Sequence, residues 1–219
     1  SSDVCSSDLF DLDGTLIDST PAILDGFDTA FKTHGQPLPD HEKIKSLVGY
    51  PLDVMFEGLG APKDLVTDYI GVYKKRYEQI YLDQTTLLGS AKDALKLANS
   101  FADVGIVTTK TSKFSAILLK HLGVMQYIDI VIGRDDVKRP KPDPEPVNLA
   151  LARLGKDSAE HRQNAFMIGD TPMDMLAAKA AGVTGLGLLC GYGTLADLQK
   201  YTDLIFENSL EATEYAANL

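Results

Sequence analysis

The chain has 219 residues, 44% of them hydrophobic and 24% charged, the proportions of an ordinary globular protein of one or two domains with a buried core. Its 31 acidic and 21 basic residues leave a formal net charge of -10, which excludes a general nucleic-acid binder, because affinity for a phosphate backbone comes from clustered Lys and Arg. No stretch approaches about 18 consecutive apolar residues and no signal-like segment opens the chain, while Cys5 and Cys190 read as incidental thiols in a reducing compartment, so no membrane partner is expected and the cytoplasm is the expected location.

In chain order, the first eight residues, SSDVCSSD, stand where a buried strand of continuous apolar residues is expected, and only Leu9 and Phe10, with Val4 as a third candidate, suit it. The near repeat of Ser-Ser-Asp at positions 1 and 6 reads as a non-native leader replacing the authentic start. A native leader would leave the central strand short or poorly paired. From Thr20 to Thr33 the spacing predicts a helix, with Pro21 at its first position and Ile23, Leu24, Phe27, Ala30 and Phe31 recurring at three and four. Helices over 41–47, 51–58 and 63–81 continue it, separated by Gly49 and by the turn from Gly58 to Pro62. Residues 18–84 therefore read as a small α-helical cap inserted into a core of residues 1–17 and 85–219.

After Gly89 the rhythm changes. Helices are predicted over 91–98, over 113–122 with Gly123 just beyond, from Asp143 as cap and Pro144 as first residue to Leu154, over 171–181 up to Gly182, and finally from Ser209 as cap. Short apolar runs at 104–108, 128–132, 165–168 and 185–189 fall between them. Strand alternating with helix at this spacing predicts an α/β fold built on a doubly wound parallel sheet.

Ligands of such sheets bind beyond the carboxyl ends of the strands, so the residues that follow each apolar run are the candidates. Asp11 and Asp13 follow the first, in FDLDGTLIDS. Residues i and i+2 of an extended chain point the same way, so the two carboxylates share one small volume and call for a cation between them; magnesium suits hard oxygen ligands. Gly14 allows a sharp turn and Thr15 offers a hydroxyl there. A calcium loop would need further oxygen ligands and a closing Glu, which the residues after Gly14 do not supply. Thr108, Thr109 and Lys110 follow the second run, Lys141 lies in Arg-Pro-Lys-Pro-Asp-Pro after the third, and Asp170 and Asp174 follow the fourth.

The order Asp-x-Asp-Gly-Thr, Thr after a strand, Lys before a helix, and Gly-Asp-x-x-x-Asp resembles the four motifs of the haloacid dehalogenase-like (HAD) hydrolase superfamily. The place of the insertion resembles the cap of its phosphatase branch. The resemblance implies a Rossmann-like core with Asp11 as nucleophile, Asp13 as general acid and base, and Thr108 and Lys141 positioning the phosphate and the nucleophile. It also implies a Mg2+ ion held by Asp11, Asp13 and Asp170, with Asp174 and Thr109 supporting. Physical chemistry agrees, since a cation relieves the repulsion between an attacking carboxylate and a phosphate dianion. Each residue also has a plainer reading: Thr108 as a strand end, Lys141 as a solvated loop lysine, Asp170 and Asp174 as helix-start acids. Asp18, Asp135, Asp136 and Asp143 read as structural or exposed acids.

Gly-x-Pro-Leu at 49–52, Val-Thr-Thr-Lys at 107–110 and Lys-Pro-x-Pro at 141–144 are similar to the phosphoglycolate phosphatase-like group. That similarity implies a small phosphorylated metabolite as substrate; the chain is expected to act as a monomer or homodimer. Tyr50 is either a loop residue facing the site or packed inside the cap, and Lys43, Lys45 and Lys63 either grip a second anion or are solvated. The alternatives are a β-phosphoglucomutase-like mutase or a pyrophosphatase of the same superfamily. A phosphoacceptor receiver domain and a non-catalytic binding module fit less well, the first for want of an insertion and the second because all four motifs are present.

Overall fold

A computed structural model of the chain describes residues 6–219. The chain forms two compact units. The first contains the described residues up to Ile17 together with Leu87–Leu219, and the second is Asp18–Thr86. Among the described residues the elements run β1 (Ser6–Phe10), β2 (Ile17–Asp18), α1 (Thr20–Thr33), α2 (His41–Leu47), α3 (Leu52–Gly58), α4 (Val66–Ile80), β3 (Thr86–Leu87) and α5 (Ala91–Ala98). They continue with β4 (Ala102–Val107), α6 (Ser112–His121), β5 (Ile130–Ile132), α7 (Glu145–Leu154), α8 (Ala159–Gln163), β6 (Ala165–Gly169), α9 (Pro172–Ala181), β7 (Thr184–Leu188), α10 (Leu195–Leu198), β8 (Ile205–Phe206) and α11 (Ser209–Ala217). None of these helices is long and apolar enough to cross a membrane.

The first unit is a doubly wound parallel sheet of six strands in the order β5-β4-β1-β6-β7-β8. Successive strands step outward from β1 on one side and then, from β6, on the other, so the winding reverses between β1 and β6. That reversal opens a crevice at the carboxyl ends of the strands, where this architecture takes its ligands. Leu9, Val107, Ile132 and Met167 of the sheet meet Val147 and Leu151 of α7 and Ala177, Ala178 and Ala181 of α9 in a continuous apolar core. Each fully buried Leu or Val there contributes about 1.5–3 kcal/mol.

Contrary to the expectation of a short or poorly paired first strand, β1 is paired along its whole length. Ser6 to Phe10 face Ala102 to Ile106 of β4, and Ser7 to Phe10 face Ala165 to Ile168 of β6. Backbone pairing is indifferent to side-chain identity, so Ser and Asp can hold the register. The misfit shows instead at Asp8, which is fully buried with neither carboxylate oxygen hydrogen-bonded. Burial pushes its carboxyl up to about 7. Val4, Cys5 and most of the proposed leader lie outside the described residues.

The caps follow the sequence with small shifts. The cap residue of α7 is Pro144 and not Asp143, with Glu145 the first helical residue, although Asp143 Oδ1 accepts from the Glu145 backbone N–H at 2.9 Å. Asn208, not Ser209, caps α11, its Oδ1 accepting from Leu210 and Glu211. Two further acids accept from first-turn amides without being the cap residues: Asp18 from Thr20 N–H at 2.9 Å, and the distant Asp135 from Ser112 N–H at 2.7 Å.

The second unit is helical. Phe27 lies 4.6 Å from Phe56 and 4.9 Å from Tyr73, ring centre to ring centre, which joins α1, α3 and α4. A methyl group at Gly26 would come within 2.7 Å of the Tyr73 ring, so this glycine lets α4 approach α1. Arg76 clamps Asp25 with hydrogen bonds of 2.6 and 2.8 Å from Nε and Nη2. Tyr50 stands in the turn before α3 and, at 36% exposed, is not part of the buried core of this unit. Lys45 and Lys63 pair with Glu42 and Glu57.

Candidate active site

Leaving β1, the backbone N–H of Asp11 still bonds Ile168 O at 2.9 Å, which keeps the chain against β6 as it exits the sheet. The chain then turns on Leu12 O, which accepts from Thr15, Leu16 and Ile17. Gly14 has φ 82°, and a Cβ there would collide with the Asp170 carboxylate. Both conformation and space therefore require glycine.

Four carboxyl-end positions meet. Lys141, buried at 2% exposure, places Nζ 2.8 Å from Asp11 Oδ1 and 2.6 Å from Asp174 Oδ1, and donates to Val107 O at 2.9 Å. Its peptide bond to Pro142 is cis. The approach to it is braced by Glu145, which accepts from the backbone N–H groups of Lys138 at 2.9 Å and Arg139 at 3.1 Å. Asp174 Oδ2 accepts from both N–H and Oγ1 of Thr171, at 3.0 and 2.7 Å, closing a capping box at the start of α9. Asp170 accepts from Thr15 Oγ1 at 2.8 Å.

Asp11, Asp170 and Asp174 are all buried, and one oxygen from each lies within 4.8 Å of the others. Burial first, then the charge of Asp174, pushes Asp170 up to about 7. Burial also holds Asp11 well above the usual carboxylate range, with Lys141 pulling against it and Asp174 and Asp170 adding to it. Burial alone would depress Lys141, but Asp11 and Asp174 outweigh it and keep the ammonium charged. Three buried carboxyl groups share one fixed cation, and a second cation would favour their ionised forms. This donor set fits a hard divalent cation.

The expected metal set of Asp11, Asp13 and Asp170 differs from the carboxylate group found, which contains Asp174 in place of Asp13. Asp13 Oδ2 instead stands 3.3 Å from Lys110 Nζ. Thr108 is buried at the end of β4, donating its N–H to Ile132 O at 3.0 Å and accepting from the Lys110 N–H at 3.1 Å through Oγ1. Phe10 pairs with Ile106, so Thr108 and Asp11 emerge at neighbouring strand ends. Thr109 follows in the half-buried loop. Sequence reasoning named Lys110 without giving it a partner and missed the backbone donor of Tyr192, whose N–H bonds Asp170 Oδ2 at 2.8 Å. Backbone donors carry no residue signature.

A parallel α/β sheet that gathers an acidic turn, a cluster of buried carboxyl groups and a buried lysine at its carboxyl edge has the architecture of a class of hydrolases. The sequence profile of the haloacid dehalogenase-like hydrolase family matches residues 9–188, and the chain belongs to that family. It is 35% identical over 208 residues to the pyrophosphatase PpaX of Bacillus velezensis, covering 90% of this chain and 93% of that protein. It is 34% identical over 190 residues to the phosphoglycolate phosphatase of Photorhabdus laumondii, covering 84% of this chain and 80% of that protein. A haloacid dehalogenase-like family hydrolase from Streptococcus pneumoniae superposes with a TM-score of 0.85 at 30% identity, covering 97% of this chain and 98% of that chain.

Proposed function

We propose that the protein is a magnesium-dependent phosphatase that hydrolyses small organic phosphate monoesters through an aspartyl-phosphate on Asp11. The observation that carries this reading is the convergence of Asp11, Asp170 and Asp174 around Lys141 at the carboxyl edge of the sheet. Asp11, Asp13 and Asp170 would hold the cation, with Asp174 supporting through its contact with Lys141. When bound, Mg2+ would offset the charge shared by the carboxylates and the phosphoryl oxygens.

The chain's own residues do the rest. Asp11 attacks phosphorus in line, and the bond to the leaving alkoxide breaks. Asp13, two residues on and held by Lys110, gives that alkoxide its proton. Water then attacks the aspartyl-phosphate, Asp13 takes back a proton, and inorganic phosphate leaves Asp11 free. Lys141 orients Asp11 through its 2.8 Å contact, and Thr108 Oγ1 offers a neutral donor to a phosphoryl oxygen.

Similarity to the Photorhabdus enzyme makes phosphoglycolate the first substrate to try, and the higher identity to PpaX supports pyrophosphate as the second. The test is a phosphate-release screen over phosphoglycolate, sugar phosphates and pyrophosphate, with and without Mg2+. Release is expected to need Mg2+ and to fall by at least about a thousandfold in Asp11→Asn. Equal release by Asp11→Asn, or none from any ester by folded protein with Mg2+, overturns the reading.

A further inference from the structure

Asp170 is fully buried, and each of its carboxylate oxygens takes one hydrogen bond from a different side. Oδ1 accepts from Thr15 Oγ1 and Oδ2 from the Tyr192 N–H, both at 2.8 Å. A carboxylate oxygen has two lone-pair directions, so these two bonds decide where the remaining ones point.

Tyr192 belongs to Cys190-Gly191-Tyr192-Gly193, the segment that leaves β7 at the carboxyl end of the sheet. It grips the same two places in several ways. Cys190 Sγ donates to Gly14 O at 3.4 Å. A Cβ at Gly191 would overlap the Asp170 carboxylate and come within 2.5 Å of Gly14 O, while one at Gly193 would overlap the Asp170 carbonyl oxygen. The Tyr192 ring lies against Gly14, where a Cβ would meet its Cδ2 at 2.7 Å. Gly191 and Gly193 are not among the glycines with positive φ, so the demand here is for space and not for a left-handed backbone.

We propose that residues 190–193 are a positioning loop for the cation site. The segment presses a backbone bare of side chains against Asp170 and fixes the plane of its carboxylate between Tyr192 N–H and Thr15 Oγ1. The inference rests on the magnesium reading given above. The segment brings no charged ligand of its own, so its effect is exerted through Asp170. Loss of such outer partners weakens metal affinity by about 10- to 100-fold.

The test is calorimetric titration of the intact protein with Mg2+ alone, no substrate present. Gly191→Ala is expected to raise the Mg2+ Kd by about 10- to 100-fold. Tyr192→Ala, which keeps the N–H and removes the ring, is expected to retain the wild-type Kd. A folded Gly191→Ala with wild-type Kd overturns the loop's role and leaves the magnesium reading standing, whereas a wild type that binds no Mg2+ overturns both. Because the added methyl can block folding, the wild-type Tyr192 amide is also followed by NMR during the titration. Its resonance is expected to move with the calorimetric midpoint, and a resonance unmoved at saturation overturns the inference.

Discussion

Lys141 brings a single positive charge into contact with two carboxylates, Asp11 and Asp174, where water is excluded. Lys141→Met preserves much of the side chain's volume but strips both carboxylates of their counter-ion. Breaking a buried pair in this way destabilises by about 3–5 kcal/mol. Urea unfolding in EDTA at neutral pH is expected to show a loss of that size, and a midpoint unchanged from wild type would refute the pairing. At this scale the candidate site was legible wherever a polar side chain follows an apolar run, as at Asp11, Thr108, Lys141 and Asp170. What stayed hidden depends on rotamers and on backbone. Nothing in the spacing of Asp170 and Asp174 says that Asp174 turns inward to Lys141, and nothing in Gly-Tyr-Gly advertises an amide aimed at Asp170.

The element most at odds with its sequence is β1. Alternation puts Leu9 on one face of the sheet and Asp8 with Phe10 on the other, so a carboxylate sits among apolar neighbours without a hydrogen bond. Its folded-state value of about 7 exceeds the ordinary 3.8. The folded protein therefore holds an extra proton between those values, and stability falls as pH rises through that window. Asp8→Val is expected to stabilise the protein, with a gain that grows by roughly 4 kcal/mol from pH 4 to pH 8. Thermal or urea unfolding of both proteins across that range measures it, and a pH-independent difference would refute the assignment. The long periodic helices were legible because burial of one face imposes a period, as in α1, found at Thr20–Thr33 as expected. Strand β8 and helix α10, of two and four residues, are too short to show any period, and tertiary pairing makes them.

For the whole molecule, every side chain of the candidate site belongs to the unit made of the residues up to Ile17 and Leu87–Leu219. The two connections between the units are already tied together, since β2 pairs with β3 and Leu88 N–H bonds Leu16 O at 2.9 Å. Replacing residues 18–86 by a short Gly-Ser linker is expected to leave a folded core that binds Mg2+ with the intact protein's affinity. Circular dichroism and calorimetry check it, and a core that is unfolded or deaf to Mg2+ would show that the site depends on the excised residues. The insertion expected from sequence, residues 18–84, rests on periodic helices; the second compact unit is Asp18–Thr86, and no strand in it is longer than two residues.

The position of β1 between β4 and β6 also has a consequence for biosynthesis. The strand leaves the ribosome before both of its partners, which are made only at Ala102–Val107 and Ala165–Gly169. At roughly 5–20 residues per second, β1 waits on the order of ten to thirty seconds for its second neighbour. Meanwhile Asp18–Thr86, whose contacts are local, can close on itself. A nascent chain halted near residue 120 is expected to give a protease-resistant fragment from this insertion and a β1 still open to cleavage. During that interval Leu9 and Phe10, both fully buried at the end, are exposed to any chaperone that attends the chain.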